Sequence, residues 1–406
     1  MNTSLRQRII EQMTPVKEVI TRGVANIIPD KVSLEKALNS RKLNIYLGID
    51  PTSTHIHLGH AVLLRKLQAF AELGHNVTFL IGDFTALIGD TSDKESERPA
   101  LTKEEITTNF QDYKRQAEKV LDFTKIQVKN NSEWLAPLNF EDIVKLTQNF
   151  TLGDFSSREL IKKRMEKEGK VGLHEVLYPV MQGYDSYFMD TDLQIGGTDQ
   201  TFNMQAGRAL QQKLRDKESF VLTTEFLMGT DGRKMSKTWG NAIWLDDTPE
   251  EMYTKAMQIN DEQIRNYFFL ATNIPLDEIE SMNIAKDPLK YKKMLSHQIV
   301  TELYSEKDAE GSAEKFQKIV REGAIPDSIS TFEISDVRSE NTSIPHLVFD
   351  AGMVQSVSEG RRLLRQGGIE VDGKRVEEQN IQIQDGAIIR VGKRNAFKVK
   401  VYTREK

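Results

Sequence analysis

Two stretches carry residues whose types and spacing suit phosphate chemistry. The first is Asp50-Pro51-Thr52-Ser53-Thr54-His55-Ile56-His57-Leu58-Gly59-His60. If a helix begins near its end, His57 and His60 share one face of the first turn, where free backbone N–H groups and the helix dipole favour an anion. Gly59 would leave room for a planar base to approach the backbone. The second is Gly229-Thr230-Asp231-Gly232-Arg233-Lys234-Met235-Ser236-Lys237-Thr238. Lys234 and Lys237 bracket a glycine-flanked loop, and two ammonium groups can neutralise a departing pyrophosphate. Taken alone, a histidine pair can be ordinary caps and a lysine loop a solvated turn.

The elements that must position these groups read as an open α/β sheet. Asn44–Ile49 is an apolar run stopped by Asp50-Pro51, hence a buried strand. From Gly59 to Leu73 the residues Leu63, Leu64, Leu67, Phe70 and Ala71 recur on one helical face, with Gly74 as the stop. Val77–Gly82 is the next strand. Strand, helix and strand with short links make a parallel βαβ unit. Leu193-Gln194-Ile195 is a further strand leading into Gly196–Gln200 and a helix that Thr198 or Asp199 would cap. Residues 4–27 read as an amphipathic helix, a second helix is expected from a Ser33 cap, and 102–180 is mostly helical by pattern. Ligands in such sheets sit at the carboxyl ends of the strands, near a topological switch point.

The 406 residues include no cysteine, which excludes a disulfide framework, a thiolate metal site and a cysteine nucleophile. Charged residues are 28% and mean hydropathy is −0.48, a globular balance. No apolar run approaches the roughly 20 residues of a membrane helix, and the first residues show no apolar signal core, so the cytoplasm is the expected compartment and no membrane partner is expected. Residues 345–406 hold 12 Lys+Arg against 8 Asp+Glu, whereas the remainder holds 43 against 52. A basic tail on an acidic body suggests a polyanionic partner at that end.

That tail has its own pattern. Ser356-Val357-Ser358-Glu359 is a capping box opening a helix through Arg361, Arg362 and Arg365 that stops at Gly367-Gly368. Asp372-Gly373 is a two-residue hairpin turn, and Lys393 and Arg394 add charge further on.

Together the two stretches resemble the HIGH and KMSKS signatures of class I aminoacyl-tRNA synthetases. Tyr46–Thr52, Leu87–Asp90, Lys94–Arg98, Tyr178–Asp185 and Gln194–Gln200 resemble the bacterial-type tyrosyl branch in particular, and the tail resembles the S4 RNA-binding module. Leu58 stands for the isoleucine of the first signature and Thr238 for the last serine of the second. Leu47 stands where several relatives have a cysteine.

The resemblance implies a doubly wound parallel sheet, Rossmann-like, in a catalytic domain over 1–245 with a helical insertion at about 115–175. It implies an α-helical tRNA-binding domain over 246–325, a linker over 326–345 and an S4-type α+β domain over 346–406. It implies activation of L-tyrosine by ATP, with Mg²⁺, and transfer to tRNA(Tyr) by a homodimer. Tyr46 and Asp185 would hold the phenol hydroxyl; Asp90, Tyr178 and Gln182 the ammonium group. Asp50 and Gln200 would sit near the carboxylate and α-phosphate, and Gly48, Gly59 and Asp199 would line the adenosine site. Thr52, His57 and His60 would meet the phosphates, with Lys94, Arg98, Lys234 and Lys237 closing over pyrophosphate. Arg361, Arg362, Arg365 and Lys393 would meet RNA. The rival readings are a tryptophan–tRNA ligase and a non-catalytic RNA-binding paralogue.

Overall fold

The computed structural model describes residues 15–52, 54–89, 102–156, 159–166, 171–236, 239–322, 330–335, 339–392 and 395–402. They fall into two compact units, residues 1–248 with 255–306, and residues 249–254 with 307–406.

The first unit is built on a six-stranded sheet: β1 (Val24–Ile28), β2 (Asn44–Ile49), β3 (Asn76–Ile81), β4 (Ile126–Asn130), β5 (Leu193–Gly197) and β6 (Phe220–Thr224), in the order β1-β6-β5-β2-β3-β4. All neighbours are parallel except β1, which runs antiparallel to β6 at the edge. The chain winds from β2 outward through β3 to β4, then returns to β5 and β6 on the other side. The order therefore reverses between β2 and β5, and the crevice at their carboxyl ends is the switch point where such sheets bind ligands.

The helix Leu58–Glu72 joins β2 to β3 and packs on β2, β3 and β5. Leu58, Val62, Leu64, Leu67 and Phe70 are buried, each worth about 1.5–3 kcal/mol of transfer free energy. Its end is a Schellman motif: His75 N–H donates to the Phe70 carbonyl and Gly74 N–H to that of Ala71, with Gly74 at φ +83°. Only a residue tolerant of the left-handed region closes that turn without strain.

Some expectations are corrected. Of the helix expected over 4–27, residues 4–14 lie outside the described residues. Pro15–Val19 is helical, but Gly23 turns at φ +60° and Val24–Ile28, rich in β-branched side chains, pairs with β6. The next helix starts at Lys31, and its cap is Asp30, whose carboxylate accepts from Ser33 N–H at 2.8 Å. The helix Thr201–Arg215 follows a 3₁₀ turn at Thr198–Gln200, so neither Thr198 nor Asp199 caps it.

In the second unit, β7 (Ser330–Ser335), β9 (Ile369–Val371), β10 (Lys374–Arg375), β12 (Ile388–Val391) and β13 (Asn395–Tyr402) form a sheet ordered β10-β9-β12-β13-β7, and β8 (Thr342–Ser343) pairs with β11 (Asn380–Ile381). Two helices, Ile344–Asp350 and Val357–Arg365, share a core with it through Ile344, Leu347, Val348, Leu364, Ile389 and Phe397. Asp372 and Gly373 both have positive φ (49° and 77°), the two-residue hairpin turn expected there. The linker expected over 326–345 is corrected: β7 lies within it and pairs in parallel with β13. Its alternation explains why. Phe332 and Ile334 face the core, whereas Thr331 and Glu333 are exposed. Thr331 and Glu333, part of the polar content that reads as linker, are the solvent side of an edge strand.

Candidate active site

A cavity of about 260 Å³ opens at the carboxyl ends of β2 and β5. Its lining includes Tyr46, Gly48, Asp50, Thr52, His60, Tyr178, Gln182, Asp185, Asp199 and Gln200, so ten of the expected residues come together from segments far apart in sequence.

The floor is polar and buried. Asp185 accepts from Trp134 Nε1 at 2.7 Å and from Asn131 Nδ2 at 3.2 Å. Burial pushes its carboxyl up to about 8. Those two hydrogen bonds oppose the rise, and the carboxylates of Asp50 and Asp83 add to it. The Tyr46 hydroxyl donates to Gln194 Oε1 at 3.0 Å, and burial, with the nearby Asp185 charge, holds the phenol well above its ordinary range. Gln194 is itself fixed by donation from its Nε2 to the Met204 carbonyl. A phenol-sized group entering here meets one hydroxyl and one carboxyl, both immobilised from behind.

Asp50 forms the adjoining wall. The Thr85 hydroxyl donates to its Oδ1 at 2.7 Å and the Tyr178 hydroxyl to its Oδ2 at 2.8 Å. A Cβ on Gly82 would lie 2.0 Å from that carboxylate, so glycine is required for Asp50 to take this position. Tyr178, expected at the substrate ammonium group, and Asp50, expected near the carboxylate on the same α-carbon, are thus directly joined. Gln200 donates to Asp199 Oδ2 at 3.1 Å and accepts from Asn203 Nδ2 at 3.0 Å.

At the mouth, the His57 and His60 rings stack with centroids 3.9 Å apart. Burial is the main cause that lowers His57 to about 3 and His60 to about 4; the neighbouring His60 and the Lys234 charge also lower His57. Both are neutral near pH 7 and serve as hydrogen-bonding groups, not cations. His60 Nδ1 accepts from His57 N–H at 3.3 Å, which places its proton on Nε2. Gly59 is also constrained from the protein side: a Cβ there would lie 2.9 Å from His57 Nδ1, so the glycine makes room for the imidazole. The two motifs are stitched by backbone: Leu58 N–H donates to the Ile243 carbonyl at 2.9 Å and Leu245 N–H to that of Ile56 at 2.8 Å. The stretch after the lysine loop therefore fixes the histidines in register. Asp90, Lys94, Arg98 and Lys237 lie outside the described residues.

Residues 38–321 match the family described as tRNA synthetases class I (W and Y), and residues 344–389 match the S4 domain. The chain belongs to the class I tRNA synthetases of the W and Y group. A tyrosine–tRNA ligase of Photobacterium profundum is 40% identical over 386 residues, 94% of this chain and 97% of that protein. One from Carboxydothermus hydrogenoformans is 38% identical over 405 residues, 96% of this chain and 98% of that protein. Among solved structures, a C-terminally truncated mitochondrial tyrosyl-tRNA synthetase of Coccidioides posadasii superposes with a TM-score of 0.63 at 22% identity. It covers 77% of this chain and 94% of that one, a likeness of fold.

Within this class I synthetase fold, several groups behind the site have no counterpart in the sequence expectations. Asn131 and Trp134 orient Asp185 from just beyond β4. Gln116, fully buried, accepts from Ile56 N–H at 2.9 Å and donates to the Thr54 carbonyl at 2.6 Å, holding the approach to His57. Gln194 falls in a motif noted from sequence but without a role. None of Asn131, Trp134 and Gln116 carries a sequence signal, since β4, which places the first two, lies in a stretch that reads as helical. In the S4 module, Arg361, Arg362 and Arg365 are exposed on the helix Val357–Arg365, which Ser356 caps by accepting from Glu359 N–H at 3.2 Å. Lys393 lies outside the described residues.

Proposed function

We propose that this class I synthetase is a tyrosine–tRNA ligase. The carboxylate oxygen of L-tyrosine attacks the α-phosphorus of ATP, the bond to the β,γ-pyrophosphate breaks, and tyrosyl-adenylate forms. A ribose hydroxyl at the 3′ end of tRNA(Tyr) then attacks the acyl carbon and releases AMP. The observation that carries this reading is the cavity floor, where Tyr46 and Asp185 present a hydroxyl and a carboxyl suited to a phenol. The curated relatives are named tyrosine–tRNA ligases along nearly the whole chain, which supports the same substrate. A tryptophan ligase is disfavoured because an indole would leave this buried pair partly unpaired.

In this reading Asp50, Tyr178, Gln182 and Asp90 surround the amino-acid backbone, with Gln200 near the carboxylate. Gly48, Gly59 and Asp199 serve the nucleoside; Thr52, His57 and His60 donate to phosphate oxygens. Lys234, with Lys237, Lys94 and Arg98, neutralises pyrophosphate as it departs. No covalent catalyst is needed, because the bound carboxylate is the nucleophile and the protein supplies alignment and charge. Mg²⁺ would accompany the phosphates of the incoming nucleotide.

The helical segment 246–325 and the exposed arginines 361, 362 and 365, with Lys393, are assigned to tRNA. A cytoplasmic homodimer is inferred, its interface on the helical insertion. Phe140, Leu152 and Leu173 there are 80%, 74% and 74% exposed, apolar surface that a partner subunit would cover. The test is ATP–pyrophosphate exchange with each aromatic amino acid in turn, then charging of tRNA(Tyr). Exchange with tyrosine alone is expected; exchange with tryptophan, or none, would overturn the reading.

A further inference from the structure

The second signature loop is held from within by a residue outside the signature. Asn241 is 3% exposed and uses its whole carboxamide on the loop that precedes it. Its Oδ1 accepts from Ser236 N–H at 2.9 Å, and its Nδ2 donates to Asp231 Oδ1 at 2.8 Å and to the Lys234 carbonyl at 3.2 Å. Its own carbonyl accepts from Thr230 N–H at 3.0 Å. Both donors of the amide nitrogen and one acceptor site of its oxygen are spent on residues 231, 234 and 236.

The fit extends to Gly229, where a Cβ would lie 2.4 Å from Asn241 Nδ2 and 2.6 Å from its Cγ. The glycine that opens the loop and the asparagine that closes it are therefore a matched pair. Two residues on, the Ile243 carbonyl accepts from Leu58 N–H, between His57 and Gly59. A short path of one hydrogen bond and two residues of backbone thus runs from the Lys234 carbonyl, through the Asn241 side chain, to the backbone pairing that fixes the histidine motif.

We propose that Asn241 is a positioning residue for adenylate formation, setting where Lys234 stands relative to His57 and the phosphates between them. Lys234 already lies close enough to lower the basicity of His57, so a change in the Lys234 backbone is felt at the histidine. Asn241 itself does not touch substrate. Its effect is on the transition state, in which charge moves onto the departing pyrophosphate, and not on tyrosine, which sits on the far floor of the cavity. The inference rests on the ligase reading above.

The test compares the full-length wild type with Asn241→Ala and the isosteric Asn241→Asp, following exchange kinetics, tyrosine binding by equilibrium dialysis and thermal unfolding. A misplaced lysine should lower the exchange kcat of Asn241→Ala by about 10²-fold, with KM for tyrosine within twofold of wild type. In Asn241→Asp the new carboxyl faces Asp231, which is also bound by Arg233; Lys234 and the Tyr267 phenol are the other titratable groups around it. Two carboxylates at that separation share a proton, and the protonated form restores one donor. The ratio of variant to wild-type kcat should therefore rise as pH falls from 8.5 to 6. A purely structural asparagine would not give this profile. An unchanged kcat in folded Asn241→Ala, or a pH-independent ratio in Asn241→Asp, overturns the proposal. Absence of tyrosine-dependent exchange in the wild type overturns the ligase reading instead, and the inference falls with it.

Discussion

Asp185 offers a test that needs no substrate. It is 3% exposed, and burial pushes its carboxyl up to about 8 from a model-peptide value of 3.8. Between those two pH values the folded protein binds a proton that the unfolded chain has released, so stability falls as pH rises through the window. Each unit corresponds to about 1.4 kcal/mol, so four units set a ceiling near 6 kcal/mol. Relaxation and water entry reduce this to about 2–4 kcal/mol. Asp185→Asn removes the titration. It also leaves Trp134 Nε1 or Asn131 Nδ2 without an acceptor, at about 1–3 kcal/mol, but that cost is the same at every pH and leaves the slope untouched. The measurement is the urea unfolding midpoint of ligand-free protein from pH 5 to 8.5. The variant should gain on wild type steadily across the range while losing tyrosine exchange. Parallel curves for the two proteins would show that Asp185 ionises normally and that its burial does not govern its charge.

Two further outcomes follow from the geometry. His57 and His60 are held far below the 6.5 of a free imidazole by burial, so the stability they contribute is complete above pH 6.5 and is lost as pH falls toward 4; His60→Gln should flatten that acid limb in unfolding midpoints from pH 4.5 to 7.5, and an unaltered limb would contradict it. A chain ending after Glu322, which removes β7 together with the sheet it joins, should keep tyrosine-dependent exchange and lose most charging of tRNA(Tyr). Its residual charging should depend less steeply on salt than the full-length rate, and equal charging by both chains at every salt concentration would refute an RNA role for the arginine face.

The parts legible in the sequence are those in which one local pattern decides the structure. β2, the helix Leu58–Glu72 and β3 follow from two apolar runs flanking an amphipathic one. The Asp372-Gly373 turn follows from two residue types that tolerate positive φ. β4 is not legible because it lies inside a stretch that is mostly helical by pattern, and β6, Phe220–Thr224, is buried throughout, so nothing alternates; β5, equally short and buried, is legible through the Gly196-Gly197 pair that ends it. The site divides in the same way. The cavity residues expected from sequence lie in motifs, whereas Asn131, Trp134 and Gln116, which orient the site, do not. Trp134 and Asp185 are hydrogen-bonded across 51 positions, and Gln116 and Ile56 across 60. No spacing rule links such pairs, since the sheet order alone brings β4 and the helix Lys103–Ala117 beside the motifs. β7 is hidden for a further reason: its Ser, Thr and Glu content has the composition of a linker, and its alternation spans only six residues.

The charge layout gives a physical reason for these particular residue types. The inner end of the cavity is acidic, with Asp50 and Asp185 in its wall and Asp83 close enough to raise Asp185. That end suits the ammonium and phenol of an amino acid, the neutral Asp185 carboxyl serving as a hydrogen-bonding group for a phenol. The histidine pair at the mouth is neutral, so it can donate hydrogen bonds there but supply no charge. Positive charge must come from outside the first motif, and Lys234, near enough to be felt by His57, brings it from the second. On the proposed reading this layout would draw the nucleotide to one end and the amino acid to the other, the placement that an in-line attack requires. The backbone stitch at Leu58 and Ile243 holds the neutral and charged halves of the phosphate site in one register, which neither motif could do alone.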